Sequence, residues 1–191
     1  MSKEKARILV TGGAGYIGSH VVRQLGERGE PTITLDNLST GFEAAVTHGE
    51  LVVGDTGDTA TLDAIFERSD IDTIMHFAAA TIVPESVENP LKYYRNNTAN
   101  TLALMDAAQA HGVRHVVFSS TAAVYGIPDG GVAGEESATR PINPYGSSKL
   151  MTEWMLRDLA FAGGPSHVAL RYFNVAGSDP GGRIGQSTRA S

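Results

Sequence analysis

Apolar residues in this chain come in short runs separated by amphipathic stretches. The runs Arg7–Thr11, Thr32–Leu35, Leu51–Val53, Thr73–Phe77, His115–Ser119 and His167–Tyr172 have the length and branched composition of strands. Between them, Tyr16–Arg28, Thr59–Arg68, Asn97–His111 and Tyr145–Phe161 carry helix-spaced apolar positions. Val116-Val117-Phe118 is apolar on both faces, as a strand covered by helices on each side requires. Strand–helix alternation of this kind predicts an α/β fold built on a doubly wound parallel sheet.

Two segments break the rhythm. Ile127–Pro144 is rich in Gly, Pro and acids and predicts a surface loop between the fifth strand and the following helix. Residues 177–191 contain one branched apolar residue, Ile184, so the expectation is a mobile tail that buries too little surface to order itself.

The composition narrows the function classes. A chain of 191 residues suits one domain with a real core. The net charge of −6, with Lys and Arg scattered, argues against a nucleic-acid partner or an anionic membrane surface. Without cysteine there is no disulfide, thiol nucleophile or thiolate metal ligand. The six histidines show no metal spacing, since Gly112 breaks the helix between His111 and His115. The N-terminus, Met1 to Arg7, is charged, and no apolar run is long enough for a bilayer span, so the expected compartment is the cytoplasm.

The chemistry starts at Thr11-Gly12-Gly13-Ala14-Gly15-Tyr16-Ile17-Gly18, between the first strand and the first helix. In that setting Gly12 and Gly15 let a pyrophosphate approach the backbone, and Gly18 lets the helix pack closely on the strand. Asp36 ends the second strand eighteen residues past Gly18, where a dinucleotide fold places the acid that holds the adenosine ribose.

A second motif is Tyr145-Gly146-Ser147-Ser148-Lys149. On a helix, residues four apart share a face, so phenol and ammonium point into one space. A free tyrosine, with a pKa near ~10, is a poor base at neutral pH. A cation at Lys149, together with an oxidised nicotinamide, is expected to favour the phenolate. Lys149 is also expected to hold the nicotinamide ribose. A third piece, Ser119 to Gly126 with Thr121, closes the fifth strand at the carboxyl edge of the sheet, where ligands of open α/β sheets bind. Glu135-Glu136 suits a solvated pair, and Met151 and Trp154 suit core or helix-pairing positions.

With Leu35-Asp36-Asn37-Leu38, Gly54-Asp55, His76-Phe77-Ala78-Ala79, Pro90 to Tyr94, Asn96-Asn97, Pro144-Tyr145-Gly146 and Arg171-Tyr172-Phe173-Asn174, the three motifs resemble the extended short-chain dehydrogenase/reductase family over essentially the whole chain. The resemblance implies a Rossmann domain with NAD as cofactor over residues 1–176. It also implies that residues 177–191 begin the connection to a substrate lobe beyond this sequence. Tyr16 and Ile17 would lie on the pyrophosphate, Asp36 and Asn37 on the adenosine ribose, and Asp55 and Thr56 on the adenine. Phe77, Ala78 and Ala79 would line the groove and Asn96 the phosphates or ribose. Thr121, Tyr145 and Lys149 would be catalytic, with Phe173 flanking the nicotinamide and Asn174 the sugar nucleotide.

Some relatives carry a phosphate-binding lysine where this chain has Thr81. Dehydrating and decarboxylating relatives place acids just after the Ser/Thr, where this chain has Ala122 and Ala123. The implied activity is therefore inversion at C4 of a UDP-hexose (UDP-glucose/UDP-galactose) through a transient 4-keto sugar. The partners implied are that UDP-sugar and a second copy, in a homodimer through the helices Asn97–His111 and Tyr145–Phe161. Two alternatives stand beside this reading: a truncated NAD-binding module without turnover, and an epimerase of another nucleotide sugar.

Overall fold

The computed structural model describes residues 5–187. Its strands are β1 (Arg7–Thr11), β2 (Thr32–Asp36), β3 (Glu50–Val53), β4 (Ile71–His76), β5 (His115–Ser119) and β6 (Ser166–Leu170). They form one parallel sheet in the order β3-β2-β1-β4-β5-β6. The helices are α1 (Tyr16–Glu27), α2 (Thr59–Arg68), α3 (Val83–Glu88), α4 (Pro90–Tyr93), α5 (Asn100–Ala110) and α6 (Pro144–Phe161). This strand order is that of the Rossmann fold, and right-handed crossovers put α1 on one face and α2, α5 and α6 on the other. The helices of the second face touch in sequence, α2 on α5 and α5 on α6. No described helix is long and apolar enough to cross a membrane.

The main core lies on that second face. Leu9, Ile33, Leu35, Ile74, Val116 and Phe118 from the strands pack against Leu62, Ile65, Leu104, Met105, Ala108 and Leu156 from the helices. Burying each such side chain contributes roughly 1.5–3 kcal/mol before entropy is charged. From β1 the chain winds towards β3, and from β4 it winds the other way. The exits of β1 and β4 therefore splay apart and leave a crevice at the carboxyl edge.

Strands and long helices lie within two residues of their expected bounds, with one exception. The helix expected from Asn97 continues a helical run that starts at Pro90: α4, a wide π-helical turn at Tyr94–Ala99, then α5. Proline at the first helical position and Asn89, which accepts the Lys92 N–H at 3.4 Å, start that run. The expected loop begins at Ile127 as foreseen, but Pro144 already opens α6, capped by Asn143 through the Gly146 N–H at 2.8 Å.

From Gly177 to Ser187 the tail makes defined contacts; residues 188–191 lie outside the described residues. Ser178 bridges Gly185, the Asp179 N–H donates to Ile184 O at 2.9 Å, and both Ile184 and Asp179 are buried. Arg23 of α1 pairs with the Asp179 carboxylate, and the Tyr16 hydroxyl donates to Gly177 O at 2.7 Å. Polar contacts to α1 hold the turn, which an apolar-residue count does not register.

Candidate active site

The crevice begins with a glycine turn that only glycine permits. Gly12 has φ +71°, and a Cβ there would lie 2.5 Å from Ala78 N. A Cβ on Gly18 would lie 2.2 Å from Gly12 O, so the first turn of α1 sits directly on the loop. Gly15 caps α1 without a side chain, and a Cβ there would meet only Gly12 O, at 3.3 Å. Backbone N–H groups at the start of α1 therefore border an open cradle with the positive end of the helix behind it. Tyr16 contributes backbone only, because its phenol is turned to Gly177 and its ring packs edge-on against His20. Ile17 follows it in the same first turn.

At the far end of the cradle Asp36 is 8% exposed. One carboxylate oxygen accepts the Ala14 N–H and the other the Leu38 N–H, each at 2.9 Å. Each oxygen keeps a further lone pair, which is what a ribose diol needs. Asn37 is less free than the sequence implied: its Nδ2 donates to Asp55 at 2.9 Å and its Oδ1 accepts from Ser39 N at 3.0 Å. Asp55 is also gripped by Gly57 N at 2.8 Å and by Asn100 Nδ2 at 2.7 Å, with Thr56 buried beside it.

The middle of the crevice is floored by the exit of β4. Phe77 N donates to Thr11 O at 2.9 Å, and Phe77, Ala78 and Ala79 are half-buried against the glycine turn. Asn96 is half-buried and donates to Asn97 Oδ1 at 3.1 Å.

Thr121, Tyr145 and Lys149 converge past the end of β5. Thr121 is buried and caps the short turn Ala122–Tyr125 by accepting the Ala123 N–H at 3.1 Å. A Cβ on Gly146 would lie 2.8 Å from Ala123 O, so the first turn of α6 is seated on the Thr121 turn. Burial raises the pKa of the Tyr145 phenol, and its hydrogen bond with Thr121 lowers it in part. Lys149, 2% exposed, donates to Ser119 O at 2.8 Å and lies over the Phe118 ring. Burial lowers its pKa to about 7. In the protein alone Lys149 is bonded to the sheet edge, and Thr121 is the group hydrogen-bonded to the phenol.

Phe173 is 80% exposed and Asn174 is exposed, so neither meets the crevice floor among the described residues. Met151 and Trp154 are about half exposed, which corrects the core alternative for both.

Sequence reading missed the residues that hold this arrangement from behind. Glu153, 7% exposed, takes Arg171 in a forked pair at 2.6–3.1 Å and also accepts from Ser120, locking α6, β6 and the β5 exit together. Asn97 bridges the β4 exit and α6. The available signal was spacing: Tyr145, Lys149 and Glu153 recur four apart, as do Asn97 and Thr101.

Comparison with known proteins gives concordant matches. The NAD dependent epimerase/dehydratase family matches residues 8–189. The UDP-glucose 4-epimerase of Azospirillum brasilense is 56% identical over 183 residues, covering 95% of this chain and 53% of that protein. The crystal structure of UDP-glucose 4-epimerase from Brucella ovis in complex with NAD superposes with a TM-score of 0.93 at 46% identity, covering 96% of this chain and 57% of that one. The Bifidobacterium longum UDP-glucose 4-epimerase in complex with NAD+ and UDP superposes with a TM-score of 0.91 at 36% identity, covering 97% and 58%. The chain thus spans about half the length of the relatives it matches.

Proposed function

The chain belongs to the NAD dependent epimerase/dehydratase family, and we propose that it forms the NAD-binding half of an enzyme that inverts C4 of a UDP-hexose through a transient 4-keto sugar. The observation that carries this reading is the grouping of Thr121, Tyr145 and Lys149 next to a turn, Ala122-Ala123, with no proton-transferring side chain. A dehydratase needs an acid and base at that turn to lose water. An epimerase needs only one group to take the 4-hydroxyl proton and return it.

The residues fit NAD. The backbone cradle at Gly12, Gly15 and Gly18 carries no side chain to stand between a pyrophosphate and the main-chain N–H groups, and Asp36 retains acceptor capacity for ribose hydroxyls. NAD, when bound, supplies the acceptor and donor of the hydride at C4. The chain's own residues do the rest. Tyr145 holds the proton of the sugar hydroxyl, and Thr121 steadies the phenol and the same hydroxyl. Lys149 spends one donor on Ser119 O and keeps two for the nicotinamide ribose and the phenolate. Phe173 and Asn174 stand ready to flank the nicotinamide and the sugar nucleotide.

A UDP-sugar is the partner this reading requires, and the cytoplasm is the expected compartment. Leu102 on α5 and Met151 and Trp154 on α6, each about half exposed, support a homodimer through these two helices. The second reading, an NAD-binding module without turnover, is favoured by the exposure of Phe173 and Asn174.

One experiment separates the two. UDP-galactose to UDP-glucose conversion is measured on this chain and on a chimera that joins it to the remaining half of the Azospirillum brasilense relative. The expected result is little turnover by the chain and robust turnover by the chimera. A folded, NAD-loaded chimera without turnover would leave the module reading.

A further inference from the structure

A file of polar side chains crosses the apolar core between the glycine turn and α6. Thr11 Oγ1 lies 2.6 Å from His76 Nδ1, and His76 Nε2 lies 2.8 Å from Thr101 Oγ1. Thr101 commits its single hydroxyl proton to Asn97 O at 2.7 Å. Towards His76 it can therefore only accept. This fixes the imidazole: Nε2 carries the proton, and Nδ1 accepts from Thr11.

Asn97 carries the file onward. Its Nδ2 donates to Ser148 Oγ at 3.1 Å and to Ala80 O at 3.0 Å, and its Oδ1 accepts from Ala80 N at 2.8 Å. Ser148 passes its proton to Tyr145 O at 2.8 Å. None of Thr11, His76, Thr101, Asn97 and Ser148 is more than 2% exposed. Taking these groups out of water is costly unless every atom is paired, and here each finds a partner. Burial holds the imidazole neutral, with its pKa lowered to about 3.

The file touches the functional elements at their working ends. Thr11 is the residue before the Gly12 turn, Ala80 closes the Phe77–Ala79 floor, and Ser148 sits one turn into α6 between Tyr145 and Lys149. Thr11 and His76 are cross-strand partners, and Phe118, the next partner along the row, carries Lys149 above its ring. Apolar side chains would fill the same row without fixing any distance along it.

We propose that His76 is a positioning residue of the dinucleotide site, which holds the Gly12 turn and the Tyr145 end of α6 at one spacing through Thr11 on one side and Thr101, Asn97 and Ser148 on the other. The proposal rests on the reading of the glycine cradle as the NAD site. His76 itself touches neither cofactor nor sugar.

The test uses the whole chain with His76→Gln, which keeps an N–H towards Thr101 and loses the acceptor for Thr11, and Thr11→Val, which breaks the same contact and leaves the ring in place. At a temperature where both variants are folded, NAD affinity should fall roughly five- to tenfold in each, the loss expected of one or two hydrogen bonds. The double variant should be no weaker than the weaker single one, because both cut one link. Unchanged NAD affinity in both folded variants, or additive losses, would overturn the proposal. A second readout does not need NAD: nitrogen NMR of labelled histidines should find His76 with the proton on Nε2. Thr11→Val should also shift the side-chain amide of Asn97. The other tautomer, or an unmoved Asn97 amide, overturns the proposal even if the chain binds no NAD. Absence of NAD binding by the native chain would count against the cofactor reading instead.

Discussion

The carboxylate of Asp36 accepts the backbone N–H of Ala14 at 2.9 Å, which ties the end of β2 to the glycine turn across the mouth of the sheet. The same residue therefore shapes the cradle and presents a charge at its β2 end. A 2′-phosphate placed there would meet a carboxylate, with Asn37, Leu38 and Ser39 next in sequence and none of them a cation. NAD should bind well ahead of NADP in parallel titrations, and Asp36→Ala should narrow that preference while weakening NAD itself. Equal or tighter binding of NADP by the native chain would contradict the assignment.

Tyr145→Phe keeps the ring that packs edge-on against Tyr93 and removes only the hydroxyl. NAD affinity should change little. Turnover of the chimera should fall by ~10²–10⁴-fold, the usual contribution of a general base. Thr121→Ala should cost less, because a water can replace one hydroxyl, though the turn at Ala122–Tyr125 loses its cap. Steady-state rates on the two variants check both statements, and parental activity in Tyr145→Phe would remove it from the role of base.

Lys149 gives a pH prediction. Its pKa falls from 10.5 to about 7 on burial, so between those values the unfolded chain binds the extra proton. Stability on this account rises as pH climbs above 7 and is lost as pH falls back through 7. Thermal melts between pH 7 and 9 should show that rise in the native chain and a flatter profile in Lys149→Met. At pH 7 the variant should be more stable by on the order of 1–4 kcal/mol, since an apolar side chain replaces a buried charge. A less stable Lys149→Met would show that the contact with Ser119 O outweighs the cost of burial.

Gly18→Ala places a methyl group 2.2 Å from Gly12 O, against backbone that cannot step aside cheaply. Overpacking of this kind costs typically about 1–3 kcal/mol. A lower melting temperature and weaker NAD binding should appear together, because α1 must back away from the cradle it forms. Denaturation melts with and without NAD check this.

Much of the architecture was legible in the chain because the signals were local. The bounds of β1, β5 and α2 follow from apolar runs and caps within a few residues, and the glycine turn announces itself between β1 and α1. What stayed hidden depends on depth. The pKa of Lys149 cannot be read from its spacing to Tyr145, because the deciding fact is that Phe118 and Ser119 O enclose it. The run from Val83 to Tyr94 carries Pro84 and Pro90 and too few turns for a helical period, so α3 and α4 leave no periodic trace. His76, Asn97 and Thr101 are ordinary polar letters until the sheet and helices bring them within hydrogen-bonding distance. The Asp179 contacts with α1 hide behind a tail whose composition suggests none.

The central claim is that these residues form an NAD site on a half-length chain, and calorimetric titration of NAD into the purified chain tests it most directly. The account predicts saturable binding of one NAD per chain, weakened by Asp36→Ala and retained by Tyr145→Phe. A folded chain that takes up no NAD at millimolar concentration, or binding indifferent to Asp36, would contradict it.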